Sequence, residues 1–183
     1  MRSALDKLYL ISGAISGLCI VLICLVILTR VVGRWFGLVI PSSDDIAGYL
    51  LAAASFLALA YSFRAGSHIR VSLFTSHLSS KALLAIERIV LTFASFLTIF
   101  LAYHLTYMVW ESWDFEEVTS GYIPFPLWAV QSPMAIGAIL FCIAIVDLTF
   151  DCWFNGTLIP KSEEEELADA GPIDMDVQGE QAK

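Results

Sequence analysis

The chain has 183 residues, 58% of them apolar and 15% charged, with a mean hydropathy of +0.76. Soluble domains carry about 25% charged residues, so this composition excludes one and indicates a membrane protein. The net charge of −8 is concentrated after residue 160, in Glu163 to Glu166, Asp169, Asp174, Asp176 and Glu180, which leaves no basic footprint for nucleic acid.

Taken in chain order, four runs are long enough to cross the roughly 20-residue hydrocarbon core as helices. Leu8 to Thr29 is uncharged and rich in Leu, Ile and Val. Arg2 and Lys7 precede it, but it is too long for a signal-peptide core and Arg30-Val31-Val32 offers no small-residue cleavage site, so it reads as an uncleaved anchor. Ile46 to Phe63 follows, opened by Pro41-Ser42-Ser43-Asp44-Asp45. A proline, a hydroxyl cap and two carboxylates in the first turn are a helix start; contact of Asp44 and Asp45 with a partner is the second reading. Small residues gather in this span at Gly48, Ala52, Ala53, Ala54 and Ser55, a face suited to packing against another membrane chain. The connection after it holds Arg64, Arg70, Lys81 and Arg88. Val71, Phe74, Leu78, Ala82 and Ile86 recur there at helical steps, a pattern that lies in the membrane interface.

Ile89 to Trp110 contains His104, the only ionisable group of that run, which reads as an interhelical polar group rather than half of a haem ligand pair. The third connection sets Trp110, Trp113, Phe115, Tyr122, Phe125 and Trp128 among Glu111, Asp114, Glu116 and Glu117. The rings read as interface anchors, and the acids also suit a soluble periplasmic partner. The fourth span begins near Pro126 and carries Pro133 within its first two turns. Asp147 and Asp151 stand one turn apart near its far end. Cys19, Cys24, Cys142 and Cys152 lie in apolar runs without CxxC spacing and indicate neither a disulfide framework nor a metal site.

The expected fold is therefore all-α: a membrane protein of four transmembrane helices with interfacial amphipathic segments in the connections. A membrane domain over 1–158, with spans near 8–29, 45–64, 88–110 and 126–150, is followed by a disordered acidic cytoplasmic tail at 159–183. Lys and Arg cluster before the first span and between the second and third, and are missing from the third connection, so the positive-inside rule places both termini in the cytoplasm. No cofactor, metal or catalytic site is expected. The near absence of charge within the spans argues for a subunit rather than a transporter acting alone.

The order of features resembles the small membrane subunit of tripartite ATP-independent periplasmic (TRAP) transporters, the DctQ-like family. Arg30 and Gly33 follow the first span, and Asp44-Asp45 opens the second with Tyr49-Leu50 soon after. Arg64-Ala65-Gly66-Ser67-His68-Ile69-Arg70-Val71 is similar to the family's R-x-G-x-H-I-x-V stretch. Ile123-Pro124-Phe125-Pro126-Leu127-Trp128 resembles its proline–tryptophan entry to the fourth helix. Two positions depart: Ser43 stands where a Trp is common before an acidic Glu-Glu pair, and Ser72 where an Asp often follows the histidine stretch. The resemblance implies a non-catalytic scaffold in the bacterial inner membrane, beside a large subunit that moves an organic anion, usually a carboxylate, on a sodium gradient. A periplasmic substrate-binding protein and membrane lipid complete the partners. It also implies contacts to partner or lipid at Arg30, Asp44, Asp45, Arg64, Gly66, His68, Arg70, Pro126 and Trp128. The alternatives are a four-helix membrane anchor of an electron-transfer enzyme and a small stand-alone exporter.

Overall fold

A computed structural model describes residues 2–38, 40–64 and 80–154. These form four helices: α1 (Arg2–Trp35), α2 (Ser43–Arg64), α3 (Ser80–Asp114) and α4 (Leu127–Phe154). Each is long and apolar enough to cross a membrane. At 1.5 Å per residue the 34 residues of α1 and 35 of α3 reach about 50 Å, against a hydrocarbon core of about 30 Å. Both therefore continue past the apolar runs that nucleate them, and α3 takes in Ala82 and Ile86 of the preceding amphipathic stretch.

Among the described residues α1 packs on α2, α2 on α4, and α4 on α3, with no other pair making a comparable interface. The helices thus stand in an open row, 1-2-4-3, rather than a closed bundle. Small residues and hydroxyls make each seam. Between α1 and α2, the buried hydroxyls of Ser12 and Ser16 donate to the carbonyls of Leu57 (2.5 Å) and Ala54 (2.8 Å). Cys19 packs there against Ala53 and Ala54, so part of the small-residue run expected to face another chain is occupied by α1. Gly48 and Ser55 remain exposed.

At the α2–α4 seam a glycine lets one helix backbone approach the other. A Cβ at Gly137 would lie 2.5 Å from the carbonyl carbon and oxygen of Phe56 and 2.8 Å from Leu57 N. Nearby, Ala60 and Ala144 are buried together and Phe63 meets Phe141 edge-on at 5.7 Å. Between α3 and α4, Leu91, Leu148 and Cys152 form the apolar part, and Ser95 and Thr149 share a hydrogen bond of 2.7 Å. Pro133 is the seventh residue of α4 and cannot donate to the Ala129 carbonyl four residues back. The Ser132 hydroxyl donates to that carbonyl instead, at 3.0 Å, and the helix runs on.

Candidate functional site

Five of the nine motif positions come together at the end of the row where α1 and α3 finish and α2 and α4 begin. Both finishing helices use the same device. In α1, Leu38 N bonds to Gly33 O (2.9 Å) and Gly37 N to Arg34 O (3.1 Å), with Gly37 left-handed at φ 73°. This is a Schellman stop, in which glycine carries no Cβ penalty. In α3, Glu117 N bonds to Ser112 O (3.1 Å) and Glu116 N to Trp113 O (3.3 Å). Glu116 takes the left-handed position at φ 52° and bears the strain of its side chain there.

Arg30, near the end of α1, pairs with Asp44 in the first turn of α2. Each charge also suits the dipole of its own helix end. The pair is open to solvent, Asp44 at 73%, so its contribution to stability is about 1 kcal/mol or less. The hydroxyl cap expected for α2 takes a different form. Ser42 lies at φ 56°, and its carbonyl accepts the first helical bond from Ile46 N (3.0 Å). Its hydroxyl accepts from Ile123 N of the third connection at 3.3 Å. Ser43 is buried and donates to Ile40 O (3.3 Å). The hydroxyls therefore stitch loops together instead of capping first-turn amides.

The third connection is a tight fold across that junction. Val118 and Pro126 form an antiparallel bridge, Thr119 N bonds to Phe125 O (2.8 Å) and Leu127 N to Glu117 O (2.9 Å). The buried Thr119 hydroxyl accepts from Phe125 N at 3.0 Å. Gly121 presses on α2, where a Cβ would sit 2.8 Å from Asp45 Oδ2; this is the place found for Asp45. Below it the buried Ser112 hydroxyl reaches Gln131 (2.9 Å) and Glu117 (3.1 Å). Trp113 meets Trp128 edge-on at 4.8 Å. Trp110, Trp113, Phe115 and Tyr122 are exposed.

At the opposite end Arg88 holds α3 to α4, its Nε donating to Cys152 O (3.3 Å) and its guanidinium lying 5.5 Å from the Trp153 ring centre. Trp153 Nε1 donates to Thr92 (3.3 Å). Asp147 and Asp151 are half-buried there. Arg64 closes α2. Its side chain, together with Gly66, His68, Arg70, the stretch from Val71 to Leu78 and the tail at 159–183, lies outside the described residues. His104, read as an interhelical polar group, meets no other helix of this chain among the described residues: it is exposed on α3, its ring tilted against that of Phe100 at 4.3 Å. Gln131 and Ser112 were missed by the sequence reading; the signal for Gln131 was an amide just past the first turn of an otherwise apolar helix start, and Ser112, among Glu111 and Asp114 at the end of α3, gave none. Among the described residues no group of His, Cys, Asp and Glu could hold a metal.

The family model for the DctQ component of tripartite ATP-independent periplasmic transporters matches residues 23–155. The chain belongs to the DctQ family. It is thus a small, multi-pass, non-enzymatic subunit of a TRAP transporter, a system whose family implies a large membrane subunit and a periplasmic binding protein as its partners. The DctQ match takes in all of α2, α3 and α4, both junction loops and α1 from residue 23 onward. Among curated proteins no match is found.

Proposed function

We propose that this DctQ subunit is a scaffold that holds the large membrane subunit in the bilayer while that subunit carries an organic anion, a carboxylate, inward with sodium. The observation that supports it is the distribution of charge. The carboxylates and guanidinia of the described chain sit at the helix ends, where the membrane meets water. A path for an anion and its coupling ion needs charged or unwound segments at mid-membrane, and the middles of α1 to α4 are continuous helix without an aspartate, glutamate, lysine or arginine. Coupling and substrate recognition then belong to the other two components. Lys and Arg placement supports an inner-membrane orientation with both termini cytoplasmic, which sets Arg30, Asp44 and the third connection on the periplasmic side, within reach of the binding protein. Lipid and partner contacts at Arg64, Gly66, His68 and Arg70 belong to the same proposal, on the cytoplasmic side.

Deletion tests this directly. Uptake of the transported anion is measured in cells expressing the binding protein with the large subunit alone, this chain alone, or both. Uptake only with both is the expected result. Undiminished uptake by the large subunit without this chain would refute the scaffold role. Reporter fusions after Ser80 and Lys183 should behave as cytoplasmic and one at Thr119 as periplasmic.

A further inference from the structure

The two outer helices of the row each turn a face away from the chain, and the two faces differ in chemistry. On α1 the outward residues include Leu18, Val21, Leu25 and Leu28, all aliphatic. On α3 the outward stripe is Phe93, Phe96, Phe100, Tyr103, Tyr107 and Trp110, each between 53% and 67% exposed. Both stripes keep alternating steps of three and four residues, the repeat of a helix that packs lengthwise on another. Spacing alone does not separate them.

Polar atoms do. His104 lies beside the α3 stripe, its ring tilted against Phe100 at 4.3 Å and edge-on to Tyr103 at 5.4 Å. Tyr103 and Tyr107 stack on each other at 6.5 Å. None of the three makes a side-chain hydrogen bond among the described residues. Trp110, at the level of the interfacial rings, is six residues further along, about 9 Å at helical rise, so His104 and Tyr103 sit inside the hydrocarbon. The exposed or half-buried hydroxyls of Thr29, Ser55 and Thr106 need nothing from outside: each donates to a carbonyl one turn back in its own helix. An imidazole holds both a donor and an acceptor, and ionisable side chains within membranes face protein rather than lipid. This one faces away from its own chain.

We propose that the aromatic–histidine face of α3 is the surface on which the large membrane subunit docks, and that the aliphatic face of α1 is left to lipid. The assignment rests on the scaffold reading above. Charge selects the occupant. Glu111 and Asp114 continue the face beyond Tyr107, so a second copy in the same orientation would set these carboxylates against their twins. The acidic residues after 160 do not enter hydrocarbon. A helix of another chain fits, one that brings a hydrogen-bonding side chain to the depth of His104 and neutral or basic groups to the level of Asp114.

Photocrosslinking of the complete transporter in membranes tests this. Benzoylphenylalanine replaces Phe96, Phe100 or Tyr107 on α3, and Val21 or Leu25 on α1, each aromatic or apolar already. The expected result is an adduct with the large subunit from the α3 positions and no protein adduct from α1. A large-subunit adduct from Val21 or Leu25 overturns the assignment while leaving the scaffold reading intact. Adducts of the α3 positions with a second copy of this chain, or with no protein, overturn it too. Co-purification of the unsubstituted chain reports separately on the scaffold reading, which fails if no large subunit is retained.

Discussion

Gly137 sits where α2 and α4 approach closely, and replacing it with alanine adds one methyl group at a point with no room for it. The new Cβ would lie 2.5 Å from the Phe56 carbonyl, whereas ordinary contact begins at 3.4 Å, so the helices must part by about 0.9 Å. The obstacle is backbone on a neighbouring helix and cannot swing aside as a side chain could. Parting them loosens the adjacent contacts of Ala60 with Ala144 and Phe63 with Phe141. Overpacking of this kind costs about 1–3 kcal/mol, which corresponds to a fall of about 2–4 °C in Tm per kcal/mol. Gly17 provides the control, since no atom lies within 4 Å of a Cβ added there. Alanine at Gly17 should be neutral or stabilising by up to about 1 kcal/mol, because glycine is the poorer helix former. Thermal unfolding of the detergent-solubilised protein, followed by monodisperse recovery on size exclusion, measures both. Equal Tm values for Gly137→Ala and the parent would refute the close-approach argument, as would an equal loss for Gly17→Ala.

The helix stops give opposite signs in the same assay. Glu116→Gly relieves a left-handed glutamate and should raise stability by about 1 kcal/mol, while Gly37→Ala imposes the same strain and should lower it by about 1 kcal/mol. At the α1–α2 seam, Ser12→Ala and Ser16→Ala each remove a buried interhelical hydrogen bond and should cost about 0.6–2 kcal/mol apiece; no loss in the double variant would show that the carbonyls of Leu57 and Ala54 need no second donor. On the cytoplasmic side, Arg70→Lys keeps the charge but loses the planar fork, and His68→Ala loses the ring. Both should weaken co-purification with the large subunit by about tenfold or more if they make charge-assisted contacts, and leave the reporter-fusion topology unchanged.

The four helices and their places along the chain were legible because lipid demands about 20 apolar residues and tolerates no unpaired backbone. Pro41, Pro126 and the acidic pair marked helix starts for reasons local to a few residues. The order of the row was not legible. In a soluble helix the buried face announces itself by alternation with polar residues, but here the exposed Leu25 and the buried, seam-facing Leu57 are chemically alike. Ser12, Ser16, Ser95, Thr149 and Gly137 mark seams, but nothing in the sequence states which helix each one meets. The hydroxyl cap takes another form because the Ser42 hydroxyl serves Ile123, 81 residues away, where a local rule sees only its own helix. His104 was read as an interhelical polar group, but the sequence could not say whether its partner lies in this chain; the structure turns it outward.

The row also dictates an order of assembly during synthesis. α1 and α2 are consecutive and adjacent, so they can form a hairpin as soon as both have left the ribosome. α3 is different, for its neighbour in the row is α4, which is made after it. Until α4 emerges, Ser95 lacks Thr149, Thr92 lacks the Trp153 indole, and Arg88 lacks the Cys152 carbonyl. α3 must therefore enter the bilayer on hydropathy alone. α4 arrives last and has to slot between α2 and α3, bringing Gly137 to one and Thr149 to the other. A ribosome stalled before residue 127 would leave a stable hairpin and a helix with no partner from its own chain.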